Sequence, residues 1–253
     1  MDLGLKGLRA LVTGGTRGIG RAIVEELAAE GASVGFCART ERDVAETADA
    51  LTSLGRTVSG AVVDVADSEG IQRWVDSSAS ELGGLDIVVA NVSALAIPDE
   101  TANWRASFDV DMMHTVSLVK AAMPYLEQSA AASILTISSV SGREIDFAAG
   151  PYGVVKAALI HYTQGLAYQL APKGIRANSL SPGNTYFAGG VWENIEQHNP
   201  ELFATALGLN PTGRMARPEE VARGAAFLCS PAASFITGTN LLVDGALTRG
   251  VQF

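Results

Sequence analysis

Thr13-Gly14-Gly15-Thr16-Arg17-Gly18-Ile19-Gly20 decides how this chain is read. It follows a short apolar run, Leu8–Thr13. It precedes Arg21–Gly31, where Ala22, Ile23, Leu27 and Ala28 recur at helical spacing up to a terminating glycine. Strand, glycine-rich turn and helix in that order form a cradle for a pyrophosphate. Glycine lets the backbone bend sharply and approach the phosphates, and the helix N-terminus offers free N–H groups at the positive end of its dipole. Glycines alone mark any turn, so it is the place of this triplet after an apolar strand and before an amphipathic helix that gives it meaning.

The pattern that begins here continues along the chain. Ser33–Ala38 reads as a second strand, followed by a charged helix from about Glu41 to Leu54. Thr57–Val65 and Leu85–Val92 read as strands around a helix near Ile71–Leu82. A long helix is predicted over roughly Trp104–Gln128, then strand Ser133–Ser138, helix Tyr152–Leu170, strand Ile175–Leu180 and a last strand at Thr239–Val243. Nearly uncharged strands, each followed by a helix, indicate a parallel sheet covered on both faces. With right-handed crossovers this becomes an α/β, doubly wound, Rossmann-type domain that binds its ligand at the carboxyl ends of the strands. Residues 1–253 carry no Pro/Ser-rich linker, low-complexity block or internal repeat, so one domain is expected, with a substrate lid around 184–214.

Composition narrows the function. A formal net charge of −9 opposes nucleic-acid binding, which needs clustered Lys and Arg. No apolar run approaches a membrane-spanning length, and the start, Met1-Asp2-Leu3-Gly4-Leu5-Lys6, lacks the features of a signal peptide. Cys37 and Cys229 belong to no CxxC or Cys/His cluster and read as buried, reduced thiols of a cytoplasmic protein. His114, His161 and His198 show no ligand spacing; they read as surface or packing residues, and no metal site is expected.

The end of the second strand bears on which dinucleotide is bound. A carboxylate there would hold the adenosine ribose hydroxyls and select NAD. Here the strand runs Phe36-Cys37-Ala38-Arg39-Thr40, with no acid. Arg39 stands where a guanidinium pairs with a 2′-phosphate, and Arg17 in the turn clamps it from the other side. Either arginine alone reads equally as a solvated side chain; the two together favour NADP(H) over NAD(H).

Gly14-(x)3-Gly18-x-Gly20 resembles the TGxxxGxG signature of the classical short-chain dehydrogenase/reductase family, and the likeness in length and motif order spans essentially the whole chain. The resemblance implies cofactor contacts from Gly14, Thr16, Arg17, Gly18, Ile19 and Gly20, from Asp64-Val65 at the adenine, from Asn91, and from Pro182-Gly183 beside the nicotinamide. It also gives meaning to Tyr152-Gly153-Val154-Val155-Lys156, whose i, i+4 spacing puts both functional groups on one helix face. An ordinary phenol titrates near 10 and is a poor acid–base catalyst at neutral pH; a fixed ammonium and a cationic nicotinamide stabilise its phenolate. By resemblance Tyr152 contacts the cofactor and is the acid in reduction and the base in oxidation. Lys156 holds the nicotinamide ribose, and Ser139, 13 residues before Tyr152, binds the substrate oxygen.

The chain also departs from the family. Asn-Asn-Ala-Gly at the fourth strand is replaced by Ala90-Asn91-Val92-Ser93. The catalytic Asn of the long helix corresponds to Asp111, which accepts hydrogen bonds but does not donate when ionised. The threonine four residues beyond Gly183 is replaced by Phe187. Tyr186, Phe187, Trp192, Phe203 and Phe147 either line an apolar pocket for a bulky ketone or anchor the lid. A homotetramer is expected by resemblance, with Thr239–Gly245 as the family's terminal strand. The nearest alternative is a reductase of 3-oxoacyl-carrier-protein thioesters. Against it, Glu127–Ser133 carries no base with which to dock an acidic carrier, and Lys173 offers one contact at most. A catalytically idle dinucleotide-binding regulator is the alternative from another class; such a module has no use for Ser139, Tyr152 and Lys156 together.

Overall fold

The computed structural model describes residues 2–251. Seven strands form one parallel sheet in the order β3-β2-β1-β4-β5-β6-β7. They are β1 (Arg9–Thr13), β2 (Ser33–Ala38), β3 (Val58–Val62), β4 (Ile87–Ala90), β5 (Ser133–Ile137), β6 (Arg176–Pro182) and β7 (Asn240–Val243). The period-two alternation of each strand divides its side chains between two cores. Ala10 and Val12 of β1, with Val34 and Phe36 of β2, face helices α1 (Gly18–Ala29), α2 (Glu41–Ser53) and α9 (Pro218–Cys229). Leu11 and Cys37 face the opposite side, against α3 (Ser68–Leu82), α5 (His114–Leu126) and α6 (Pro151–Leu170). Strand order reverses between β1 and β4, and the crevice this opens lies at their carboxyl ends.

The expected strands and helices are present, most of them trimmed or extended at their ends. Helix α1 starts at Gly18, inside the glycine-rich turn, rather than at Arg21. The long helix expected over 104–128 is interrupted: α4 (Thr101–Ser107) leads into a π-helical turn, Phe108–Met113, and only then into α5. Between β6 and α9 the chain forms α7 (Val191–His198) and α8 (Pro200–Gly208), which pack on each other through Trp192, Ala206 and Met215. Arg176 ties β6 to the C-terminal end of α9, donating to the carbonyls of Leu228 (2.6 Å), Cys229 (3.1 Å) and Ser230 (3.0 Å), where a cation meets the negative end of the helix dipole. Burial pushes the Cys37 and Cys229 thiols up to about 12, so both are unreactive. Among the described residues no helix is long and apolar enough to cross a membrane.

Candidate active site

At the end of β1 the chain turns through Gly14 with φ +69°, and a Cβ there would stand 2.8 Å from Val92 Cγ2. Glycine is therefore required both for the conformation and for the close approach of β4. Asn91 staples the two strand ends together: its side-chain amide donates to the Thr13 carbonyl (3.0 Å) and its backbone N–H donates to Thr13 Oγ1 (3.0 Å). Arg17 is the cap residue of α1, and its side chain makes no capping bond. Thr16 and Ile19 are half-buried around it, and Gly20 is buried.

Arg17 and Arg39 are exposed and have no ion-pair partner among the described residues, whereas the neighbouring Arg42 is held by Glu46 at 2.7 Å. Asp64 is exposed at the end of β3, where its Oδ1 accepts the Ala66 N–H, and Val65 behind it is buried. Pro182 ends β6, and the Gly183 N–H donates to the Val243 carbonyl. A glycine cradle, an uncapped helix start and two free guanidinium groups suit a phosphorylated dinucleotide.

Four further side chains gather beyond β4 and β5. Lys156 and Asp111 are each only 2% exposed, and Lys156 Nζ lies 3.1 Å from Asp111 Oδ1. The same ammonium donates to the Ile137 carbonyl at 3.1 Å and sits 5.6 Å from the centre of the Tyr152 ring. Asp111 Oδ2 accepts the Ala94 N–H at 2.9 Å, fixing the loop after β4, while Oδ1 is held by charge and makes no directed hydrogen bond. Ser139 Oγ accepts the Ser141 N–H at 3.2 Å, and the Ser141 hydroxyl is in turn locked onto Asp146 at 2.6 Å. Gly153, between Tyr152 and Lys156, lets α6 press against this loop: a Cβ there would come within 2.6 Å of the Ala148 carbonyl.

Comparison with known proteins agrees with this arrangement. A family model described as "Enoyl-(Acyl carrier protein) reductase" matches residues 14–248. Isoepoxydon dehydrogenase of Penicillium expansum is 45% identical, the match covering 100% of this chain and 99% of that protein. A tropinone reductase homologue of Arabidopsis thaliana is 39% identical over 96% of this chain and 80% of its own length. A short-chain dehydrogenase of Burkholderia cenocepacia, solved in complex with NADP, superimposes with TM-score 0.85 at 30% identity, covering 96% of this chain and 98% of its own. The chain belongs to the short-chain dehydrogenase/reductase family.

Within this short-chain dehydrogenase/reductase, the π turn explains how the replaced asparagine position is built. A widened turn displaces the usual i→i+4 backbone bonds and leaves carbonyls to be satisfied by side chains. Thr115 Oγ1 donates to the Asp111 carbonyl at 2.8 Å, and the His114 ring meets the Val110 carbonyl at 3.1 Å. Of the three histidines expected at the surface or in packing, His114 is the packing one, buried at 1% exposure, and His161 and His198 are on the surface. No hydrophobic phase marks position 114, because the buried residues around it, Ser107, Asp111 and Thr115, are polar. Ser141 and Asp146, which hold Ser139, carry no sequence signal either.

Burial is the main cause that pushes His114 down to about 4; Lys156 pushes it the same way, and Val110 and Asp111 oppose. A histidine depressed on folding binds fewer protons in the native state than in the unfolded chain between its two values. Stability therefore falls as pH drops from 6.5 to about 4. The loss from this group is about 3 kcal/mol. Denaturant melts of wild type and His114→Gln across pH 4–7 check this. The variant should lose that segment of pH dependence, and parallel curves would refute it.

The lid aromatics divide between the two roles considered. Tyr186 packs edge-on to Phe203 and donates to Glu196, so both anchor α7 and α8. Phe187 lies on Gly18, where a Cβ would come within 2.5 Å of its ring. Phe147, between Ser139 and Tyr152, is half exposed and meets Trp192 of α7 edge-on, 5.8 Å between ring centres.

Proposed function

We propose that this enzyme transfers a hydride between NADP(H) and a ketone or secondary alcohol. The substrate is bulky and mainly apolar, of the cyclic, aromatic or steroid-like kind. The observation that carries this reading is Lys156, buried on the face of α6 it shares with Tyr152, with its ammonium over the phenol ring at the mouth of the strand crevice. When bound, the nicotinamide supplies or accepts the hydride. In reduction the Tyr152 hydroxyl gives its proton to the carbonyl oxygen; in oxidation it takes the proton of the alcohol. Ser139 donates to the same oxygen: the Ser141 N–H occupies one of its lone pairs, and its own proton, held only by a long 3.3 Å contact to Ser141 Oγ, turns to the substrate. Lys156 supplies the positive charge that favours the phenolate, and Asp111 holds that ammonium in place. Phe147, half exposed on the catalytic loop and braced edge-on by the buried Trp192 of the lid, offers a flat apolar surface, which supports a ring-shaped substrate.

Phosphate selection rests on Arg17 and Arg39. Charge-assisted hydrogen bonds contribute about 1.5–3 kcal/mol, so Arg39→Ala should raise KM for NADPH roughly 10- to 100-fold and leave KM for NADH nearly unchanged. Equal effects on both dinucleotides would remove the basis for NADP(H). The carrier-protein alternative loses its one basic contact, since Lys173 is paired with Glu127 at 2.6 Å. A homotetramer is supported by the exposure of Trp104, Phe108 and Met113 around the π turn and of Val154 on α6. The function is tested by NADPH and NADH oxidation with cyclic, aromatic and steroidal ketones and a β-ketoacyl thioester. Turnover of the thioester alone would transfer the assignment to the carrier-protein reductase.

A further inference from the structure

His114 is a buried, neutral imidazole placed between two parts of the site that share no other side-chain bridge of this kind among the described residues. Its Nδ1 lies 3.1 Å from the Val110 carbonyl in the π turn, and its Nε2 lies 3.0 Å from Thr13 Oγ1. A carbonyl only accepts, so Nδ1 carries the proton, and Nε2 accepts from the Thr13 hydroxyl, whose other acceptor, the Val89 carbonyl, is farther away at 3.3 Å. In the other tautomer an imidazole lone pair would face the Val110 oxygen at 3.1 Å. Thr13 is the last residue of β1, and its backbone continues directly into Gly14 of the phosphate-binding turn. Its Oγ1 also receives the Asn91 N–H, and its carbonyl receives the Asn91 amide. On the far side, Val110 adjoins Asp111, whose carboxylate holds both Lys156 and the loop after β4.

The geometry points to His114 as a positioning residue that ties the phosphate-binding turn to the π turn carrying Asp111, so that dinucleotide binding and the placement of Lys156 depend on each other. This rests on the dinucleotide reading above. The bridge has one hydrogen bond at each end and no slack, because the ring is rigid and enclosed on all sides. A hydrocarbon side chain of similar size would fill the space but release both ends. The Val110 carbonyl would then lose its side-chain donor, and the π turn would shift toward ordinary helical pairing, carrying Asp111 with it.

The test uses the full chain and two readouts: NADPH dissociation by fluorescence titration, which needs no turnover, and kcat with a ketone substrate. His114→Leu and Thr13→Val should each raise the NADPH Kd about fivefold and lower kcat about tenfold, and the double variant should be little worse than either single one. Thr13→Ser and His114→Gln keep a hydroxyl and a donor–acceptor pair, and should hold both readouts within about twofold of wild type. Independent multiplication of the two single effects would overturn the coupling. So would an unchanged Kd in the Thr13→Val protein, a comparison that stands even if His114→Leu does not fold. Failure of the wild-type chain to bind either dinucleotide would instead sink the proposed function, before any variant is measured.

Discussion

Tyr152→Phe is expected to lower kcat by about 10²- to 10⁴-fold while leaving the NADPH Kd nearly unchanged, because it deletes the transferable proton and leaves the glycine-rich turn, Arg17, Arg39 and Lys156 to hold the dinucleotide. The hydroxyl makes no hydrogen bond to the protein among the described residues, so its loss leaves no buried partner unsatisfied and the fold should be untouched. The ring remains in place under Lys156. This separation of turnover from binding distinguishes an enzyme from an idle dinucleotide-binding regulator. Stopped-flow fluorescence for binding and steady-state absorbance at the nicotinamide band for turnover would show it. A Phe variant that turns over at the wild-type rate would mean that proton transfer runs through another group, and the assignment of Tyr152 would fall.

The sheet was legible because buried parallel strands need continuous apolar runs, and each of these was bounded by a turn or a helical pattern. What the sequence did not disclose has physical reasons. The π turn lies where the buried face of the helix is polar: Ser107, Asp111, His114 and Thr115 are all buried, so hydrophobic periodicity carries no phase there. Helix α9 is absent from the sequence-based expectation, although Pro218-Glu219-Glu220 is a sound helix start, with proline in the first turn and two acids at the positive end of the dipole. The lid helices are short and owe their shape to contacts with each other, which local pattern does not encode. For the site, the positions of Ser139, Tyr152 and Lys156 followed from spacing. That Asp111 faces Lys156 directly, and that Asp146 reaches Ser139 through Ser141, are three-dimensional facts with no fixed sequence interval.

Asp111 carries the second large effect. Removing one member of a buried ion pair leaves an uncompensated charge, at a cost of about 3–5 kcal/mol. Lys156 would keep only the Ile137 carbonyl as partner, so Asp111→Ala should be destabilised by that amount. For a chain of this length, that is a fall in Tm of about 6–20 °C. Asp111→Asn is a different experiment. The amide oxygen still accepts the Ala94 N–H, so the loop after β4 stays in place and the loss of stability should be smaller.

What changes is charge. With a negative group removed from beside Lys156, the ammonium acts on Tyr152 less opposed, and the phenolate forms more readily. In alcohol oxidation the rising limb of the pH–rate profile should then move to lower pH. In ketone reduction the falling limb should move the same way, because the protonated phenol is the reactive form. Profiles for both directions, recorded with wild type and Asp111→Asn, check the sign. Limbs that stay fixed while Asp111→Ala melts early would make the carboxylate a structural counter-ion alone, with no hold on the proton that Tyr152 moves.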